Sequence, residues 1–234
     1  MKKKIICMAM ILVMAMLALS GCKIRNYDSN VVDINNGEDG IKLGYVNFVF
    51  KYTQAGYDIN YGSSYGTRLW TDDMTGTGQP FSEEVKNNVV ETLEKQYIIK
   101  KHADEMGVTI TEDDKTKIDE ATSKFLSENT SSTLNAMGAD EDVVRQMLTD
   151  MTYVSKVEKA LEARGKAEGA INDTTDATTY VNNVVASWEE GYEFNVDDKL
   201  LSQITVDDMF ATSSSANSTS KASTTTTSNS NQGK

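Results

Sequence analysis

The chain has 234 residues, a formal net charge of −12, two cysteines, one histidine and one proline. The acidic balance argues against a nucleic-acid surface and against an electrostatic grip on anionic lipid. The cysteine count leaves no disulfide framework to staple a small fold, so stability must come from an apolar core, and the lone Pro80 argues against proline-rich linkers.

Lys2, Lys3 and Lys4 precede an apolar run from Ile5 to Leu19 that ends in Leu19-Ser20-Gly21-Cys22. A basic start, a short run of apolar residues and small residues before a cysteine are expected of a leader cleaved before Cys22. The four residues resemble a lipobox, which makes Cys22 the expected lipid attachment site. Residues 1–21 would then be removed, Cys7 with them, and the loss of three lysines takes the mature charge to −15. Residues 22–30 read as lipidated cysteine and tether, and 31–210 as one structured body. Ala211 to Lys234, rich in Ser, Thr, Asn and Ala, read as a disordered tail.

Val31-Val32-Asp33-Ile34 is β-prone, and Asn35-Asn36-Gly37 is turn chemistry before Ile41, so a small N-terminal hairpin is predicted. From Leu43 to Tyr61 a helix places Tyr45, Phe48, Tyr52 and Ile59 on one side and Phe50, Tyr57 and Tyr61, with Tyr65 beyond, on another. Gly62 to Gln79 reads as a loop carrying Trp70. A long helix is expected from a Ser82 cap, with Val85, Val89, Leu93, Gln96, Ile99, Ala103 and Met106 in register and Gly107 ending it. Thr111 followed by three acidic residues caps the next helix, which carries Ile118, Ala121, Phe125 and Leu126. A short turn at Leu134–Met137 follows. The last clear helix starts at Asp140 and carries Val144, Met147, Leu148, Met151, Val154 and Leu161 up to Gly165. The fold class is therefore mainly α.

This order of elements, with the junction Met106-Gly107-Val108-Thr109-Ile110-Thr111-Glu112-Asp113-Asp114, resembles the N-terminal chaperone domain of the SurA and PrsA group of extracytoplasmic foldases. The match covers roughly 31–164. Val184 to Ile204, with Trp188, Tyr192, Phe194 and Leu200, resembles the C-terminal piece that returns to complete that domain, extending to 210. The resemblance implies a SurA N-terminal, trigger-factor-like helical domain with a small hairpin. It further implies a lipid-anchored protein on the extracytoplasmic face of a Gram-positive membrane, with unfolded or newly secreted polypeptides as partners. Many members insert a parvulin prolyl isomerase domain where this chain has the linker 165–183. Such a domain needs on the order of 100 residues, so the isomerase reads as absent and no catalytic residue is assigned.

The remaining chemistry is thin. His102, the sole histidine, lacks serine or cysteine partners at a known spacing and reads as a boundary residue. Asp33–Asp39 has the Gly and Glu of a calcium loop at the wrong offsets, so no metal or other cofactor is expected. Gly76-Thr77-Gly78 lacks the strand before it and the lysine after it that a phosphate loop requires. Acidic clusters at 112–114, 140–142 and 197–198 read as helix caps.

The expected working surface is apolar, with Phe50, Tyr57, Tyr61, Tyr65 and Trp70 as candidate client-binding residues; the alternative is that they are core. Met106, Met137, Met147 and Met151 read mainly as packing. The runner-up function is a lipoprotein that binds a carbohydrate or cell-wall component through the loop around Trp70. A homodimer is left open.

Overall fold

The computed structural model describes residues 14–15, 27–172 and 175–212. Of the leader only residues 14–15 are described, and Cys22 and the tail from 213 lie outside the described residues. Two-residue strands β1 (Met14–Ala15) and β5 (Ala211–Thr212) pair antiparallel.

The body begins with β2 (Asn30–Ile34) and β3 (Asp39–Lys42), joined by the expected turn. Asn35, Asn36 and Gly37 all have positive φ, at 49°, 60° and 87°, a left-handed run that Asn and Gly tolerate best. The register of the hairpin shifts between Asn30 and Val32, and Val31, Val32 and Ile34 are all fully buried. A third strand, β4 (Phe194–Val196), lies antiparallel on the other edge of β2. The returning segment therefore makes β2 the central strand.

Helix α1 (Leu43–Tyr65) runs through the middle of the body. No residue of its first half is exposed: Leu43, Val46, Phe48 and Phe50 are completely buried and Asn47, Lys51 and Gln54 are buried among them, as expected of a helix wrapped on every side. The sequence predicts a loop from Gly62, yet the helix continues to Tyr65. A Cβ on Gly62 would lie 2.5 Å from Met209 Cε of the returning segment, the end of a flexible side chain that can give way. The predicted loop also contains the short helix α2 (Arg68–Thr71).

Helix α3 (Phe81–Lys101) starts after Pro80, which sits at the N-cap, so Ser82 lies in the first turn and is not the cap. It stops at Lys101, earlier than Gly107; the turns that follow close when the Val108 N–H donates to the Ala103 carbonyl at 2.9 Å, and Gly107 adopts φ 66°.

Helix α4 (Glu112–Glu128) opens on a full capping box between Thr111 and Asp114. Helix α5 (Ser131–Met137) is capped by Thr130, and α6 (Glu141–Ala167) by Asp140. Helix α7 (Ala177–Glu189) follows, with Asp176 accepting the Thr179 N–H. It corrects the expected division of the chain: 165–183 is not a plain linker, because α6 enters it and α7 starts within it. Only residues 168–176 separate the two helices. Helix α8 (Asp198–Leu201), capped by Asp197, precedes the final extended segment. The three acidic clusters thus sit at helix starts as expected.

Two apolar clusters hold the body. The larger gathers the sheet, α1, α2, the first half of α3 and residues from α4, α5, α6 and the returning segment around Phe48 and Phe50. The smaller joins Ile99, Ala103 and Val108 to Val157 and Leu161 of α6 and Val185 of α7. Burying one such large side chain stabilises by roughly 1.5–3 kcal/mol. Among the described residues no helix is long and apolar enough to cross a membrane.

Candidate functional site

The five aromatic residues singled out above divide. Phe50 and Trp70 are 0% and 2% exposed, which removes them from any working surface. Trp70 packs edge-on to Phe50 and Tyr57 and lies against Phe81, at centroid distances of 5.7–6.4 Å. Its indole N–H donates to Asp58 Oδ1 at 2.7 Å, so the polar end is satisfied within the core. Trp70 itself therefore offers no ring face to a ligand. Tyr57 is half-buried between Trp70 and Phe81. Tyr61 and Tyr65 remain at the surface, each 48% exposed.

Asp58 belongs to a buried polar row on α1. Lys51 Nζ donates to the Thr205 carbonyl at 2.6 Å and Gln54 Nε2 to the Asp208 carbonyl at 2.7 Å. Asp58 Oδ2 accepts the Phe210 N–H at 2.8 Å. Positions 51, 54 and 58 lie on one face of the helix, so three successive side chains grip the backbone of 205–210. Burial pushes the Asp58 carboxyl up and the Lys51 ammonium down from their ordinary values.

A more open feature lies between α4 and α6. A groove of about 470 Å³ is floored by Ile118, Ala121, Leu148 and Met151, with Lys117, Lys156 and Lys159 along it. Met151, expected in the core stripe of α6, is 45% exposed here. The stripe is wider than the surface α4 covers, and the methionine falls at its uncovered margin. Lys156 closes one end, donating to Asp114 and to the Thr109 carbonyl. The Lys156 ammonium, with the Thr111 hydroxyl and N–H, holds Asp114 well below the usual carboxylate range.

A second cleft, of about 570 Å³, is walled by β3, α3 and α6. At its base the Tyr45 hydroxyl donates to Asp150 Oδ2 at 3.0 Å, and Lys100 Nζ meets Asp150 Oδ1 at 2.6 Å. At its rim the Tyr97 hydroxyl donates to Asp39 Oδ2 at 2.9 Å, and Lys101 lies 3.1 Å from the same atom. Burial and the Asp150 charge raise the Tyr45 phenol above its ordinary value. Burial also raises Asp39, but the Gly40 N–H, Lys101 and Tyr97 outweigh it and leave the carboxyl lowered. Nothing in the sequence signals these pairings, since each partner lies 50 or more residues from the other across most of the contacts.

The sole histidine is occupied structurally. His102 stacks on Trp188 at 4.3 Å, with the rings parallel to within 1°, and its Nδ1 is 2.9 Å from Glu105 Oε2. The Gly76-Thr77-Gly78 turn is filled from within the chain: Asp73 accepts the N–H groups of Thr75, Gly76, Thr77 and Gly78. Among the described residues no three His, Cys, Asp or Glu side chains converge as a metal site. No family model, curated protein or solved structure matches the chain.

Proposed function

We propose that this protein is a non-catalytic holdase, anchored by lipid on Cys22 at the extracytoplasmic face of a membrane, that binds unfolded or newly secreted polypeptides. The observation that carries the reading is the α4–α6 groove, whose apolar floor brings together buried Ile118, half-buried Ala121 and Leu148 and exposed Met151. Methionine and short aliphatic side chains in an open groove accommodate apolar residues of varied shape. Lysines beside the floor keep it wet and dissociable. Tyr61 and Tyr65, exposed near the end of α1, add amphipathic contact area elsewhere on the body. The SurA-like resemblance agrees with a mainly helical body closed by a returning C-terminal segment. A prolyl isomerase is disfavoured, because residues 168–176 leave no room for such a domain between α6 and α7.

The test is suppression of aggregation of a chemically unfolded, unrelated protein by the chain lacking residues 1–22, at near-equal molar ratio. Suppression is expected, weakened by Met151→Glu and to a smaller degree by Tyr61→Ser with Tyr65→Ser, with circular dichroism unchanged. A folded protein that leaves aggregation unaltered overturns the reading.

A further inference from the structure

The cleft between β3, α3 and α6 differs from the groove in charge balance and in polarity. Its lining carries three carboxylates (Asp39, Asp104, Asp150) and three ammonium groups (Lys42, Lys100, Lys101), so its formal charge cancels within a chain of −12. Two of the carboxylates are held in the same way, each accepting one tyrosine hydroxyl and one lysine ammonium. Lys101 lies over the Tyr97 ring at 5.0 Å and Lys100 over the Tyr153 ring at 6.0 Å. Gln96 of α3 and Gln146 of α6 add amide donors and acceptors on facing walls.

We propose that this cleft binds a neutral saccharide of one to two rings. Its volume lies within the ordinary range for small-ligand sites. A charge-cancelled lining offers neither an anion nor a cation a net attraction. The carboxylates of Asp39 and Asp150, fixed by their own partners, and the amides of Gln96 and Gln146 present acceptors and donors suited to vicinal hydroxyl groups. The cleft's lining is more polar than apolar, whereas the groove is mainly apolar, so an unfolded polypeptide gains less there by burying side chains. This inference uses no residue of the α4–α6 groove and stands or falls separately from the holdase reading.

The test is calorimetric titration of the chain lacking residues 1–22 with neutral disaccharides and tetrasaccharides of glucose and of N-acetylglucosamine, alongside glucose 6-phosphate. Saturable heat with at least one neutral sugar is expected. Gln96→Ala or Gln146→Ala should weaken it by about tenfold, the loss of roughly one hydrogen bond, while Met151→Glu leaves it unchanged. Both glutamines are free of the Asp39 and Asp150 pairings, so these variants keep the body intact. No heat with any neutral sugar up to millimolar concentration overturns the proposal. So does preferential binding of the phosphorylated sugar, or binding that both glutamine variants retain in full.

Discussion

The two apolar clusters are fastened by different means. Around Phe48 and Phe50 the core is closed by polar side chains, because Lys51, Gln54 and Asp58 reach across to the backbone of 205–210. Around Val157 and Leu161 the polar contacts lie at the exposed margin, where Arg164 Nε donates to the Tyr180 hydroxyl at 3.2 Å, and Gly165 lets Tyr180 and Ile171 approach α6 where a Cβ would stand 2.7 Å and 2.8 Å from them. A buried hydrogen-bonding group accepts few alternatives, since leaving it unpaired costs about 1–3 kcal/mol. The larger cluster therefore specifies one position for the returning segment, whereas α7, held with fewer buried polar contacts, is expected to open first.

The strongest challenge to that contrast is truncation in each cluster. Phe48→Ala should lose about 3–5 kcal/mol and lower hydrogen-exchange protection through the whole body. Leu161→Ala should lose about 2–4 kcal/mol, with α7 the first element to exchange. Equal loss of protection everywhere in both variants would show one cooperative unit instead of two.

Asp58→Ala should cost about 2–3 kcal/mol, by unpairing the Trp70 indole and the Phe210 N–H together. A shift in tryptophan emission that accompanies release of 205–210 would sharpen the comparison; unchanged emission would count against the anchor. Gly165→Ala should cost about 1–3 kcal/mol through crowding against Tyr180, read as a lowered midpoint in urea.

The smallest effect concerns pH. Burial, then Glu91 and Glu189, pushes Glu94 up to about 7. The folded state then binds this proton more tightly than the unfolded state, so stability is lost as pH rises from about 4.3 towards 7. Because the carboxyl is only half-buried, Glu94→Gln should add no more than about 1 kcal/mol at pH 8 and nothing near pH 4. An equal gain at both values would exclude this origin.

Much of the architecture is legible in the sequence where a residue acts on its own neighbours. Asn35-Asn36-Gly37 marks the hairpin because these residues tolerate positive φ, and Thr111 and Asp140 mark helix starts because each accepts a backbone N–H three positions on. Helix α7 escapes such reading: Thr178, Thr179, Val181, Asn182 and Asn183 are weak helix formers, and only Val185 of this helix is buried. Asp58 and Lys51 are silent for another reason, since their partners lie about 150 residues along the chain. The same distance effect conceals the cleft. Met151 illustrates a third limit: helical periodicity reports which side of a helix is apolar, not how much of that side a neighbour covers.

The central place of β2 bears on how the chain comes together in time. A polypeptide that emerges amino end first presents Asn30–Ile34 and its hairpin partner early, yet the edge that Phe194–Val196 will occupy stays open until about 160 further residues have appeared. Until then the strand's second row of amides and carbonyls has no native partner. Completion of this small sheet is thus a late event, tied to the arrival of nearly the whole body, and a chain arrested before residue 194 would carry a sticky edge.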